Sequence, residues 1–297
     1  MKIHAKKSLG QNFLKSKKAL FAMLEAGEIV PEDTILEIGP GLGVLTEKLL
    51  ETGAKIIAVE KDNELIGFLK EKFAKEIENK QLTLIHGDIL ELDLNLLGLK
   101  ANSYKLIANI PYYITGLIFR KFLSGNIHPH TNSSFKNNDK KNLHTKIGIG
   151  VQPEKIVIMV QKEIADRIIA RDGKESLLSL SVKVYGTAKK IMKVEKENFS
   201  PKPKVDSAVL LIDNISKAFF KEMNHEKPSD IMTNEKKFFE IIKAGFAHKR
   251  KILMANLKEK SGKNHLYEIF QKLKISEKTR AEDLKLEDWI KLISELG

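Results

Sequence analysis

No cysteine occurs in the 297 residues, which excludes disulfides, thiolate nucleophiles and cysteine-ligated zinc. Nor is there a run of about 18 apolar residues, the length a membrane-spanning helix needs, so no membrane partner is expected. The opening Met1-Lys2-Ile3-His4-Ala5-Lys6-Lys7 leads into polar residues and lacks the apolar stretch of a secretory signal. A cytoplasmic location is the expectation. Acidic residues are scarce towards both ends. Residues 1–20 hold six lysines and no acid, and residues 241–263 hold seven bases against Glu259 alone. Over the whole chain 51 Lys and Arg face 39 Asp and Glu, a net charge of +12. Two basic clusters so far apart in sequence fit a polyanionic partner, although a lysine-rich solvated surface accounts for the same charge.

What is present is alternation. Thr34–Ile38, Lys55–Val59, Leu82–Ile85 and Tyr104–Ala108 are short runs rich in branched residues, bounded by turn residues. Between them the spacing predicts helices over Val44–Thr52, Asn63–Glu78 and Thr115–Leu123. Strands alternating with helices predict a parallel sheet covered on both faces. Lys155–Val160 resumes the pattern after Ser124–Glu154, a stretch rich in Asn, His, Lys, Ser and Gly that reads as a surface insertion. The histidines in and near it (His128, His130, His144 and the more distant His86) follow from polar loop composition, and no metal site is expected. Helices are expected at Glu163–Ala170 and Leu177–Tyr185, and strands at Lys189–Val194 and Ser207–Ile212. From about Ile215 only helical patterns follow, over Glu235–Lys258, His265–Leu273 and Leu286–Leu296. That switch places a domain boundary near residue 213.

Chemistry concentrates at the strand ends. The first strand ends in Glu37-Ile38-Gly39-Pro40-Gly41-Leu42-Gly43, glycines that allow a tight turn and close approach of a nucleoside. A plain βα turn would read the same way, but the second strand ends in Glu60, where an acid can accept both ribose hydroxyls. The third ends in His86-Gly87-Asp88, and Asp88 is suited to the exocyclic amine of an adenine. No phosphate-binding lysine follows the glycines, which argues against an ATP-type phosphate loop. The fourth strand ends in Asn109-Ile110-Pro111-Tyr112-Tyr113. An Asn oxygen and a proline-fixed backbone carbonyl can both accept from an adenine N6, whose lone pair is delocalised into the ring. Such acceptors stabilise the charge that develops on transfer, while Tyr112 offers a stacking face.

N-x-P-Y after a G-x-G-x-G strand end resembles the class I adenine-N6 methyltransferases. Gly10-Gln11-Asn12-Phe13-Leu14, Gln161-Lys162-Glu163-Ile164-Ala165-Asp166-Arg167 and Phe199-Ser200-Pro201-Lys202-Pro203-Lys204-Val205-Asp206-Ser207 resemble the ribosomal RNA adenine dimethyltransferases. The tail, Phe246-Ala247-His248-Lys249-Arg250-Lys251-Ile252-Leu253 with Asn256-Leu257, is similar to that of the bacterial housekeeping branch associated with kasugamycin sensitivity. The resemblance spans nearly the whole chain. It implies a Rossmann-like α/β fold with a mainly parallel seven-stranded sheet over residues 1–213, and a small all-helical RNA-binding domain over 214–297. It implies S-adenosylmethionine as cofactor, contacted by Asn12, Leu14, Gly39, Glu60, Asp88 and Asn109. It implies a target-adenine site of Asn109, Pro111 and Tyr112, with Phe199 as a second stacking face, and RNA contacts from a helix carrying Lys249, Arg250 and Lys251. The implied substrate is a pair of adjacent adenosines near the 3′ end of 16S rRNA in the immature small subunit, with a role in its biogenesis, and the enzyme is expected to be a monomer. Two departures stand out: Tyr113 occupies a position where Asn or a small polar residue is expected, and the 124–154 insertion is longer than the family connection. The alternatives are a macrolide-resistance-type 23S rRNA adenine methyltransferase, which shares the pocket motifs, a DNA adenine methyltransferase, and a non-catalytic ribosome assembly factor.

Overall fold

The computed structural model describes residues 5–124, 151–222 and 231–296. The chain opens with a two-residue strand, β1 (Phe13–Leu14), and a helix, α1 (Lys17–Gly27), capped by the Ser16 side chain, which accepts from the Ala19 N–H at 3.3 Å. Alternation then follows: β2 (Thr34–Ile38), α2 (Val44–Leu50), β3 (Lys55–Glu60), α3 (Asn63–Lys72), α4 (Ala74–Glu78), β4 (Leu82–His86), β5 (Lys105–Asn109) and α5 (Thr115–Phe119). Beyond the expected insertion come β6 (Lys155–Gln161), α6 (Lys162–Ile168), α7 (Leu177–Lys183), β7 (Thr187–Val194), the short β8 (Phe199–Ser200) and β9 (Ser207–Asp213). Helices α8 (Ala218–Glu222), α9 (Ile231–Gly245), α10 (Leu253–Ser261), α11 (Lys263–Lys272) and α12 (Leu286–Glu295) complete the tail.

Seven strands form one sheet in the order β4-β3-β2-β5-β6-β9-β7, parallel from β4 to β6 and antiparallel at β9 and β7. All seven strands read from the sequence are present, with ends shifted by a residue or two. The near-continuous apolar runs of β2, β3, β5, β6 and β9 reflect burial on both faces, whereas the edge strands β4 and β7 are partly exposed. Ile35, Ile56, Ile107 and Val157 enter one core with α1, α2 and α3. Their neighbours Leu36, Ile57, Ala108 and Ile158 enter the other core, as the two-residue period of a strand requires. Phe220, Phe238, Leu257 and Trp289 of the tail belong to that second core, so the helical tail and the sheet share continuous apolar packing. The chain runs from β2 outward to β4 and returns to β5 on the other side of β2. The ends of β2 and β5 therefore flank the switch point, where open α/β sheets bind ligands.

Three expected helices differ. Asn63–Glu78 divides at Phe73, which is buried in the first core and ends α3. Thr115–Leu123 begins as α5 and finishes as a π-helical turn, Arg120–Ser124. Glu235–Lys258 is two helices: α9 stops at Gly245 and α10 starts at Leu253, and the Trp289 ring fills the space a Cβ at 245 would need. Asn256 then caps the break, its amide nitrogen donating to the carbonyls of Gly245 (2.6 Å) and His248 (3.2 Å). Lys249, Arg250 and Lys251 consequently lie in the turn between α9 and α10, not on a helix.

The expected insertion falls mostly at residues 125–150, which with His128, His130 and His144 lie outside the described residues. Its final residues are not loop-like. Val151 accepts from the buried Tyr104 hydroxyl at 2.6 Å, and the Gln152 amide donates to the Leu123 carbonyl.

Candidate functional site

Six residues named from the sequence as cofactor contacts, Asn12, Leu14, Gly39, Glu60, Asp88 and Asn109, line one cavity of about 350 Å³ at the switch point. Pro111 and Tyr112 line it as well. Its floor is the glycine turn after β2. Gly39 has φ +65°, a region L side chains rarely adopt, and no atom lies within 4 Å of where its Cβ would stand. Gly41 has φ +60° and would put a Cβ 3.1 Å from the Phe13 ring. The N-terminal segment thus packs directly on the glycine turn.

Glu60, at the end of β3, is almost wholly buried. One carboxylate oxygen accepts from the Gly41 N–H at 3.2 Å and the other from the Asp62 N–H at 2.8 Å. Burial raises its pKa, opposed by those backbone donors. Asp88, after β4, accepts from the Leu90 N–H at 2.9 Å through one oxygen and pairs with Lys61 at 2.7 Å through the other. Burial would raise its carboxyl, but the Lys61 ammonium and the Leu90 N–H outweigh that and hold it below the usual range. Both Asp88 oxygens thus already accept one hydrogen bond each.

At the end of β5, the Asn109 amide nitrogen donates to the Asn12 carbonyl at 3.2 Å. That bond leaves the Asn109 side-chain oxygen without a partner among the described residues. Pro111 has its own carbonyl engaged by the Ile114 N–H at 3.2 Å, so the acceptor its ring fixes is the preceding carbonyl, on Ile110. Tyr112 is half-buried, and its hydroxyl lies 2.5 Å from Ser207 Oγ on β9. Burial raises its pKa. Tyr113 is largely exposed and lies against Gly10, 3.2 Å from where a Cβ would stand.

Phe199 is not at the cavity. It is 2% exposed, paired through β8 with Leu14 of β1, and packed in the first core. In this structure it is a core residue and not an open stacking face. The segment around it instead holds the N-terminal arm, with Phe13 opposite Ser200 and the Lys15 N–H donating to the Asn198 carbonyl at 2.8 Å.

Two carboxylates were missed as site residues. Asp62 caps α3 by accepting from the Glu64 N–H at 3.0 Å, and also receives Lys6 at 2.7 Å and Gln11 at 2.9 Å, fastening the arm beside the cavity. Its sequence signal was that of an N-cap acid directly before a helix. Glu37, the first residue of the glycine motif, is 1% exposed, accepts from the Thr46 hydroxyl at 2.7 Å and lines the cavity.

The basic turn borders a different feature. A cleft of about 1380 Å³ runs between α5–α7 and α9, and Arg120, Arg167, Arg171, Lys236, Lys243 and Lys249 line it.

Comparison with known proteins adds the decisive finding: the family model "Ribosomal RNA adenine dimethylase" matches residues 2–297. The chain belongs to this family. Among curated adenine dimethylase relatives, the Ribosomal RNA small subunit methyltransferase A of Dehalococcoides mccartyi is 36% identical over 295 residues, covering 99% of this chain and 89% of that protein. The protein of the same name from Clostridium botulinum is 36% identical over 289 residues, covering 96% and 92%. Of solved structures, a dimethyladenosine transferase from Plasmodium falciparum superposes with TM-score 0.69 at 26% identity, covering 94% of this chain and 95% of its own. The 23S rRNA methyltransferase ErmE shares the fold, with TM-score 0.67 at 20% identity over 96% of this chain and 99% of its own. In this adenine dimethylase the arrangement places an amide oxygen, a backbone carbonyl and an aromatic ring beside one cavity.

Proposed function

We propose that this chain transfers methyl groups from S-adenosylmethionine to N6 of two adjacent adenosines near the 3′ end of 16S rRNA, in the immature small subunit and as a cytoplasmic monomer. The small-subunit target is supported by the names of relatives matched over nearly the whole chain.

The observation that carries the cofactor is the charge of the cavity. Among its lining residues the charged pair-formers are Glu60 and Asp88 against one cation, Lys61, which is already paired with Asp88. A nucleoside phosphate would meet carboxylates there, whereas a cationic nucleoside without phosphate meets complementary charge. When bound, S-adenosylmethionine supplies an electrophilic methyl on a sulfonium. Glu60 would accept the ribose hydroxyls, Asp88 the adenine amine, and Gly39 would allow the close approach, with Asn12 and Leu14 covering the site. Asn109 Oδ1 and the Ile110 carbonyl at the Pro111 turn would accept from the target amine, favouring a pyramidal nitrogen and stabilising the charge it acquires. Tyr112 would stack on the target base, a contact worth about 1–3 kcal/mol.

Extruding an adenine from its stack costs a few kcal/mol. Phosphate contacts from Lys249, Arg250 and Lys251 of the helical region 214–297, together with the lysine-rich N-terminal arm, would offset it without reading sequence. Methyl transfer from labelled cofactor to immature small subunits, large-subunit RNA and DNA tests the reading. Label in the small subunit alone is expected. Label in large-subunit RNA would favour the macrolide-resistance type, and no transfer to any of them a non-catalytic assembly factor.

A further inference from the structure

Glu37 has no role in the reading above, yet its position in the cavity is unusual. It stands at the end of β2 with one oxygen held by the Thr46 hydroxyl of α2. The charged group that faces it is Glu60, from β3, which is also an acid. No cation faces it among the described residues. Burial, with the Glu60 charge adding to it and Thr46 opposing, pushes its carboxyl up to about 8. The carboxyl is therefore mostly protonated at neutral pH.

Sheet order says what lies over it. β2 stands between β3, which carries Glu60, and β5, which carries Asn109. A cofactor with its ribose on Glu60 and its transferable methyl directed at Asn109 must cross the end of β2. In S-adenosylmethionine that stretch carries the sulfonium charge. In the demethylated product the same stretch is a neutral thioether, while the ammonium and carboxylate are common to both.

We propose that Glu37 is the charge discriminator of the cavity: it releases its proton to solvent when the sulfonium binds and keeps it when the thioether product is bound, so that methyl donor is favoured over spent product. This rests on the cofactor assigned above. Glu60 also sits in a buried place, but it meets the same ribose in both ligands, so its contribution cancels in the comparison.

Titration calorimetry of the full-length protein with S-adenosylmethionine and with S-adenosylhomocysteine, each in two buffers of different ionisation enthalpy, tests it. At pH 7 about one proton more should leave on binding the donor than on binding the product. The donor-over-product preference should rise by up to about tenfold per pH unit below pH 8 and level off above it. Glu37→Gln should remove the excess proton release and cut the preference about tenfold, with product affinity changed by less than about twofold. Equal proton release with both ligands, or none with either, in the unmodified protein overturns the proposal whether or not the variant folds. Absence of any binding of the donor would instead overturn the cofactor assignment.

Discussion

The Lys6 ammonium lies 2.7 Å from one oxygen of Asp62, while the Gln11 amide holds the other at 2.9 Å. Asp62 is nearly buried, it caps α3, and its own N–H donates to Glu60. One residue thus ties the N-terminal arm to the helix through its carboxylate and to the acid assigned to the ribose through its backbone N–H.

Loosening that tie should free the arm without unfolding α3. Burial would raise the Asp62 carboxyl, but Lys6, Gln11 and the Glu64 N–H hold it below the usual carboxylate range. A depressed native pKa stabilises above the unfolded value and is lost on acidification through the native one. Arm protection should therefore persist as pH falls to about 4 and disappear below that. Hydrogen exchange by mass spectrometry should show faster exchange over residues 6–14 in Asp62→Asn, which keeps the capping oxygen, with α3 unchanged. Unaltered exchange over the arm would show that the β1–β8 pairing alone holds it.

Glu60→Ala should weaken S-adenosylmethionine binding by roughly 2–4 kcal/mol, since hydrogen bonds to charged groups contribute about 1.5–3 each before solvent compensation. It also leaves the Gly41 and Asp62 N–H groups without their acceptor. Calorimetry giving the same affinity as the unmodified protein would place the cofactor elsewhere.

Replacing residues 126–150 by a short Gly/Ser linker should leave cofactor affinity unchanged, because loop closure depends weakly on length. Extending the deletion through Gln152 should not be neutral. It removes the buried Gln152 side-chain amide that donates to the Leu123 carbonyl, a loss of about 1–3 kcal/mol. Denaturant melts of the two deletions separate these outcomes, and a loss of cofactor binding in the shorter one would contradict the assignment of this stretch as an insertion.

Changing Lys249, Arg250 and Lys251 together to Ala should weaken RNA binding and reduce its log–log salt slope by up to about 2–3. Cofactor affinity should stay the same, since none of the three lines that cavity. Binding measured from low to moderate salt is the check. An unchanged slope would leave the RNA contact to the N-terminal arm.

The seven-stranded sheet was legible because its central strands are compact apolar runs, the edge strand β7 alternates in exposure, and the glycine turn, Glu60, Asp88 and Asn109 sit at strand ends. The β1–β8 ribbon was not, since two-residue strands carry no periodicity and their partners lie nearly 190 residues apart in register, Leu14 opposite Phe199. The Glu235–Lys258 pattern stays helical in spacing across Gly245. The Trp289 ring from α12 fills the space a Cβ at 245 would need, and Asn256 bonds the carbonyls of the break, tertiary contacts that local propensity does not contain. Phe199 was misplaced for a similar reason: an aromatic beside a proline-rich turn reads as exposed until its strand partner is known. Lys6, Gln11 and Asp62 were each visible, but only folding brings them together.

Single-turnover methyl transfer to immature small subunits by Asn109→Ala, with cofactor affinity measured on the same preparation, tests the central claim most directly. The Asn109 amide nitrogen is spent on Asn12, so its oxygen is assigned to the target amine. Loss of one such acceptor should slow transfer on the order of 10²-fold or more, while cofactor affinity falls only modestly. Near-normal transfer by a folded Asn109→Ala protein would contradict the account.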